Sequence, residues 1–289
     1  MVGAAAAGSV TGSTLVVGAT GAVGGALLRA LAATGTPVLA WSRRARADDA
    51  AKWQVGELFE DALPAVATIL CAGPLDGLVA ALARSPLCRP RVVVALSSSS
   101  ATFKRDSLDA DERGLAAKLA VSEAALLERC RDLEARCVIL RPTLIYGGED
   151  AGSLGAIEAL ARRFGFVVLP RGASGLRMPI HADDVATAML GALESGAAGE
   201  IFDVGGGETL TYDAMIRRVL EVRGITPRLV RVPDQMFRAL LRIGHRGGLL
   251  QGLSEAMVLR MRADLVVDDT AARRVLGHAP GPFRPRRPL

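Results

Sequence analysis

Three groups of residues in this chain have types and spacings that suit chemistry: a glycine-punctuated turn, a pair of arginines and a run of hydroxyls. The turn lies between Thr14 and Leu28, where an apolar run passes through Gly18, Gly21 and Gly24 into an amphipathic stretch. Glycine enters the left-handed backbone region without a Cβ penalty and lets a ligand approach the main chain. The free N–H groups that open a helix add hydrogen-bond donors and partial positive charge. A strand, a GxxGxxG turn and a helix in that order make a cradle for a nucleotide diphosphate. Its expected contacts are Gly18, Ala19, Thr20, Gly21, Ala22, Val23 and Gly24. Such a turn says what is bound, not what is done with it.

The second group, Ser42-Arg43-Arg44, follows the second apolar run, where folds of this kind meet the adenosine ribose. A carboxylate there favours a free 2′-hydroxyl. The guanidinium forks of Arg43 and Arg44 suit a 2′-phosphate instead, so NADP(H) is expected over NAD(H). The third group, Ser97-Ser98-Ser99-Ser100-Ala101-Thr102, ends a later apolar run, and Cys71-Ala72-Gly73-Pro74 ends the one before it. Ala72, Gly73, Ser97 and Ser98 are expected beside the cofactor, and a hydroxyl in this run can polarise a substrate carbonyl. Serines also end strands for purely local hydrogen-bonding reasons.

Holding these groups together requires alternating strands and helices. Hydrophobic runs and turn signals place strands at 14–18, 37–41, 66–71, 91–97 and 136–141, with helices at 22–34, 75–84 and 111–130. The runs are apolar throughout, as in strands covered on both faces, so the fold class is α/β, a Rossmann-type doubly wound parallel sheet. Trp53-Gln54-Val55-Gly56-Glu57-Leu58 is the candidate for a third strand. After Arg141-Pro142 the alternation breaks into helices near 155–163 and at 183–194, a strand at 200–204, and helices at 211–223, 233–243 and 268–276. The expectation is a nucleotide-binding domain over 12–170, to which the strand at 200–204 returns. A smaller, mostly helical C-terminal substrate lobe over 171–289 closes over the crevice.

Arg141-Pro142-Thr143-Leu144-Ile145-Tyr146-Gly147 is similar to an RPxxxYG motif, and His181-Ala182-Asp183-Asp184-Val185-Ala186 to an hVxDvA helix start. The stretch from Asp268 to Pro280 is similar to a closing helix followed by GxxP. With the glycine turn and the serine run, these pieces make the chain resemble, over nearly its whole length, the extended short-chain dehydrogenase/reductases, the NAD-dependent epimerase/dehydratase family. The resemblance implies that Pro142 and Thr143 flank the cofactor. It also implies a serine or threonine working with a YxxxK pair, whose lysine binds the nicotinamide ribose and lowers the pKa of the tyrosine that moves the substrate proton.

Lys118 fits as that lysine, but Gly114 stands four residues earlier. The only tyrosines, Tyr146 and Tyr212, have no lysine four residues on. This departure moves the resemblance toward atypical members. Ser99, or Ser100 in the shifted alignment, Lys118 and Tyr146 are the catalytic candidates, with Lys104, Glu112 and Arg113 as further polar groups near the gap. Two functions follow as expectations: an NADP(H)-dependent oxidoreductase or epimerase acting on a small carbonyl or nucleotide-linked substrate, or a non-catalytic redox sensor or accessory protein. His181 is expected just before a helix capped by Asp183 or Asp184. Arg177 is read as meeting an anionic substrate or lying at the surface.

Composition narrows the partners. A net charge of +5 and a pI near 9.4 come with arginines dispersed among carboxylates and only 4% aromatic residues, so nucleic acid is not an expected partner. No apolar run approaches the length of a membrane span. Cys71, Cys88, Cys130 and Cys137 show no CxxC spacing and read as buried reduced thiols of a cytoplasmic protein. No metal site is expected, since His245 and His278 have no ligand set near them. Residues 1–13 read as a disordered leader and 280–289 as an extended solvated end. The expected state is a monomer or, as the resemblance implies, a homodimer paired through the helix that carries Lys118, with a small-molecule substrate.

Overall fold

The computed structural model describes residues 13–44, 51–148, 161–163, 165–222, 224–226, 228–246 and 255–285. Most of the expected leader and most of the helix expected near 155–163 lie outside the described residues. The first half alternates β1 (Thr14–Val17), α1 (Ala22–Ala33), β2 (Val38–Ser42), β3 (Lys52–Val55), β4 (Thr68–Cys71), α2 (Leu75–Arg84), β5 (Val92–Leu96), the short α3 (Ser100–Phe103), α4 (Ala110–Asp132) and β6 (Arg136–Pro142). With β11 (Glu200–Val204) these strands form one parallel seven-stranded sheet in the order β3-β2-β1-β4-β5-β6-β11. The order reverses between β1 and β4, and the carboxyl ends of the strands on either side of that point open a crevice.

The continuous apolar runs become strands because both faces are covered. Val16, Ala40, Leu70, Val94 and Val138 turn toward one layer, while Leu15, Val17, Ile69, Val93 and Ile139 turn toward the other. The first layer holds α1 and α5 (Ala182–Glu194); the second holds α2 and α4. The third strand, Lys52–Val55, overlaps the expected stretch in Trp53 to Val55 and starts one residue before it. Gly56 ends it under the Trp41 ring, where a Cβ would come within 2.2 Å of the indole.

The boundary between the two parts is interleaved rather than sequential. Helix α5, expected in the second lobe, packs on α1 and under β5 as part of the sheet's own covering. The remaining elements are β7 (Ile145–Tyr146), β8 (Phe166–Pro170), β9 (Leu176–Arg177), β10 (Ile180–His181), β12 (Leu210–Thr211), α6 (Tyr212–Val222), β13 (Arg228–Val232), α7 (Asp234–Arg246), α8 (Glu255–Arg262) and α9 (Thr270–Leu276). The short strands pair as β10-β7, β12-β9 and β13-β8, so the lobe is less purely helical than expected.

The segment after α9 differs from a solvated tail. Gly277, at φ 65°, turns the chain back, His278 Nε2 lies 2.8 Å from the Gly205 carbonyl oxygen, and Gly281 N donates to Asp184 at 3.2 Å. Phe283 then enters the lobe's core at 1% exposure. An aromatic ring buried to that extent outweighs the extended character that the surrounding prolines and arginines suggest.

Candidate active site

The glycine turn is built to be close-packed at two positions and open at a third. Gly18 sits at φ 73°, and a Cβ there would meet the Ala72 carbonyl carbon at 2.8 Å. A Cβ on Gly24 would lie 2.1 Å from the Gly18 carbonyl oxygen. Gly21 is different: its φ and ψ of −76° and 171° are open to any residue, and its nearest contact would be 3.4 Å away. It is the N-cap of α1 and contributes no capping side chain, so the first N–H groups of that helix face the crevice without a side-chain acceptor. Ala72 and Gly73 close the turn from the β4 side, Ala72 N donating to Val17 O at 2.9 Å. Ala19 N reaches Trp41 O at 3.4 Å, Val23 is buried beneath the turn, and Gly148 packs on Ala22 from above. These residues fit a dinucleotide diphosphate.

At the ends of β2 and β3, Thr20 Oγ1 and Ser42 Oγ are 3.1 Å apart, and Arg44 N donates to Ser42 Oγ at 3.3 Å. Ser42 therefore fixes the turn that presents Arg43 and Arg44, both exposed. Arg43 Nε stands 4.0 Å from Glu57 Oε2, a loose and solvated pairing. Glu57, which follows the glycine under Trp41, adds a carboxylate to this end of the crevice. In the sequence it stands only inside the candidate third strand.

Beyond the ends of β5 and β6 lies a cleft of about 550 Å³. Its sheet side is Ser97 to Ser100, Phe103, Lys104 and Pro142 to Ile145; its lobe side is Arg177, Met178, Tyr212, Met215, Arg260, Met261 and Leu265. The serine run is there because β5 and β6 continue their pairing past the sheet, Ser97 N donating to Leu140 O at 2.8 Å and Ser99 N to Pro142 O at 3.0 Å. Ser97 Oγ donates to Glu123, and Ser98 Oγ accepts from Ser100 N at 3.1 Å. The hydroxyls of Ser99 and Ser100 are free of those ties. Thr143 is spent on structure, its hydroxyl donating to the Met178 carbonyl.

Glu123 sets the rotation of α4. Its carboxylate is 2% exposed and takes two hydrogen bonds from Arg141, Nε at 2.8 Å and Nη2 at 2.5 Å, besides the one from Ser97. The Arg141 guanidinium is held above its usual pKa chiefly by that hydrogen-bonded carboxylate. With Glu123 turned under the strand ends, the stripe sharing its face is Leu119, Ala116 and Glu112, half-buried or buried. Lys118, five positions away and so about 140° around the helix, points elsewhere. Its amine pairs with Asp76 of α2 at 2.6 Å and is 62% exposed. Gly114 is exposed, and a Cβ there would meet nothing within 4 Å. The structure therefore does not bring Lys118 into the cleft.

Tyr146 is also outside the cleft lining. Its ring packs edge-on between His181 and Phe283, with centroids at 5.0 and 4.8 Å, and its hydroxyl accepts from Arg284 N at 3.1 Å. It anchors the C-terminal strap. His181 is itself the N-cap of α5, Nδ1 accepting from Asp183 N at 3.1 Å, in place of the expected aspartate cap. Asp183 instead pairs with Arg29 at 2.8 Å.

Arg177 reaches the cleft but is 5% exposed, and its guanidinium donates to the carbonyls of Leu176, Ala263 and Arg260. It stacks over Tyr212 at 5.1 Å, whose phenol burial pushes up to about 12. Sequence reasoning missed Arg260, which sits on α8, a helix whose periodicity is too weak to announce itself. Arg260 and Lys104 both pair with Glu112, Lys104 Nζ lying 3.7 Å from Oε1, while Ser107 Oγ donates to Oε2 at 2.7 Å. Asp109 N-caps α4 and delivers Glu112 to this point. Asp109 acts on both cations as well, so two cations face two carboxylates at this end of the cleft. Among the described residues there is no group of three metal-ligating side chains, and no helix is long and apolar enough to cross a membrane. All four cysteines are buried and unpaired.

No family model matches the chain. A ketoreductase of 4-hydroxy-2-methyl-3-oxo-4-farnesyl-3,4-dihydroquinoline-1-oxide from Stigmatella aurantiaca is 29% identical over 150 residues, 49% of this chain and 44% of that protein. A mitochondrial NADH dehydrogenase [ubiquinone] 1 alpha subcomplex subunit 9 from Arabidopsis thaliana is 26% identical over 136 residues, 46% of this chain and 32% of that protein. The matched region thus spans less than half the length of either relative. Among solved structures, UDP-glucose 4-epimerase of Thermotoga maritima with UDP-glucose superposes with a TM-score of 0.70 at 17% identity, covering 93% of both chains. UDP-glucuronic acid 4-epimerase of Bacillus cereus, in complex with UDP-glucuronic acid and NAD, gives 0.69 at 13% identity over 94% and 95%. The chain has the Rossmann-type fold of these epimerases.

Proposed function

We propose that this chain is an atypical extended short-chain dehydrogenase/reductase, a nicotinamide-dinucleotide-dependent oxidoreductase or epimerase acting on a small carbonyl or nucleotide-linked substrate. The observation that carries the reading is the glycine turn. Gly18 and Gly24 are required by the packing of the protein itself, whereas Gly21 has room for a Cβ and, as an N-cap without a side chain, leaves the first N–H groups of the helix open to a ligand. The diphosphate would be held by the main chain of Gly18 to Gly24, the adenosine end by the turn at Ser42, and the nicotinamide end near Ala72, Gly73 and the serine run. A bound nicotinamide would supply or accept a hydride; the protein's part is to orient the substrate and handle a proton.

NADP(H) is the favoured cofactor, since Arg43 and Arg44 are exposed forks beside the ribose position and Glu57 holds Arg43 only loosely. The test is the affinity for NADPH and NADH in the parent protein and in a variant carrying Arg43→Ala and Arg44→Ala. NADPH should bind more tightly, and the double substitution should erase the difference; equal affinities in the parent protein refute the 2′-phosphate argument. A cytoplasmic setting fits four buried thiols.

A second reading has its own support. The buried stripe of α4 carries neither phenol nor amine, and one relative is a subunit of NADH dehydrogenase. A non-catalytic nucleotide-binding role, as sensor or accessory protein, accommodates both facts. Cofactor turnover across carbonyl substrates separates the two readings.

A further inference from the structure

We infer that Lys104 is the proton donor of the cleft, held in place by Glu112, and that it does the work left undone by the missing tyrosine; this rests on the oxidoreductase reading above. Lysine occurs three times in the chain, at 52, 104 and 118, against 32 arginines. A chain that meets its needs for positive charge with arginine has, at the cleft wall, a lysine, whose amine gives up a proton far more readily than a guanidinium does. Lys52 is exposed on β3 and Lys118 pairs with Asp76 on the outer side of α4. Lys104 alone lines the cleft, its side chain 22% exposed, four residues beyond Ser100.

Its surroundings are arranged around the proton. Glu112 Oε1 lies 3.7 Å from Nζ, and the other carboxyl oxygen is occupied by the Ser107 hydroxyl, so Glu112 is fixed rather than swinging. Arg260 from α8 faces the amine from the lobe side and Asp109 from the start of α4. Burial, then the nearby Arg260 charge, depress the lysine's proton affinity, and Asp109 works against them. The Tyr212 phenol across the cleft is a poorer acid, because burial holds its pKa up near 12. In the reductive direction a bound reduced nicotinamide would supply the hydride for the new C–H bond at the carbonyl carbon. The C=O π pair moves to oxygen, and Nζ–H delivers the proton there, leaving a neutral amine that is reprotonated from solvent. In the oxidative direction the neutral amine takes the proton back.

Two measurements test this on the intact protein. In the first, lysines are reductively methylated with 13C-formaldehyde, and the Lys104 resonance is identified by its loss in Lys104→Arg. It should titrate below the range of a freely solvated dimethyl-lysine, and an ordinary titration overturns the assignment. In the second, NADPH oxidation is followed with 4-nitrobenzaldehyde and benzoylformate as carbonyl probes. Lys104→Arg keeps the charge and the ion pair, so it should fold and bind the probe with KM little changed while kcat falls about a hundredfold. Glu112→Gln should move the alkaline limb of the kcat profile to lower pH, a change that a merely structural role would not produce. Parent-like kcat and pH profile in Lys104→Arg overturn the proposal and leave the oxidoreductase reading standing. No turnover of either probe by the parent protein, with NADPH bound, overturns that reading and this role with it.

Discussion

Replacing two glycines of the same turn should separate the demands of the fold from those of the ligand. In Gly24→Ala the new methyl would lie 2.1 Å from the Gly18 carbonyl oxygen and 2.7 Å from the Ala19 Cα. Both are main-chain atoms that cannot rotate aside, so turn and helix must part by about an ångström. Overpacking of this kind costs about 1–3 kcal/mol. The alanine returns about 1 kcal/mol of helix propensity, for a net loss of roughly 1 kcal/mol. For a chain of this size that lowers the Tm by about 2–4 °C. Gly21→Ala has no such conflict: its backbone is extended and its nearest contact is 3.4 Å away. Losing a glycine N-cap costs under about 1 kcal/mol. Its methyl nevertheless stands where a phosphate oxygen must come within about 2.9 Å of the helix N–H groups. Dinucleotide affinity should fall at least tenfold, about 1.4 kcal/mol. Thermal denaturation and isothermal titration with NADPH and NADH read the two quantities separately. Parent-like dinucleotide binding in Gly21→Ala would refute the cradle.

Two further substitutions probe the support beneath the site. Glu123→Ala removes the partner of a partly buried arginine and should destabilise the protein by about 3 kcal/mol, the lower end for a broken buried pair, because Asp203 lies beside Arg141 across the β6–β11 ladder with one oxygen unpartnered. Urea unfolding of Glu123→Ala alone and with Asp203→Asn measures this; strictly additive losses would show that Asp203 offers Arg141 nothing. His278, 3% exposed against the Gly205 carbonyl, has its pKa lowered chiefly by burial. The unfolded chain therefore binds the proton more readily, and stability should decline as pH falls below about 6.5, the unfolded value. In His278→Gln that part of the decline should vanish; an unchanged stability profile between pH 7 and 5 would dismiss the histidine as its source.

The sheet was legible because its strands are buried on both faces and so appear as unbroken apolar runs between turn signals. The diphosphate turn was legible because glycine at Gly18 and Gly24 answers a steric demand that any reader of spacing can recover. Rotation about α4 was not. Gly114, Lys118 and Glu112 are equally polar or small in the sequence, and only the contact of Glu123 with Arg141 and Ser97, from two strands distant along the chain, decides which of them face the crevice. The strap was misread for a related reason: Phe283 is one aromatic among prolines and arginines, and its burial depends on a core assembled from β8, α6 and α8. Arg260 belongs to the same class of tertiary facts.

The rotation of α4 also changes what the absent tyrosine means. Gly114 is nine positions before Glu123, about 180° around the helix, so a phenol placed there would face solvent rather than substrate. The exposure of Gly114 and the open space around its missing Cβ agree with that geometry. A tyrosine at Gly114 would therefore not put a phenol in the cleft. The whole buried stripe of α4, from Glu112 through Ala116 and Leu119 to Glu123, is apolar at its centre and carboxylate at both ends. One carboxylate is committed to Arg141 and the other to Lys104 and Arg260. The titratable group that α4 brings to the cleft is the carboxylate of its first turn, and the amine beside it comes from the short loop after the serine run.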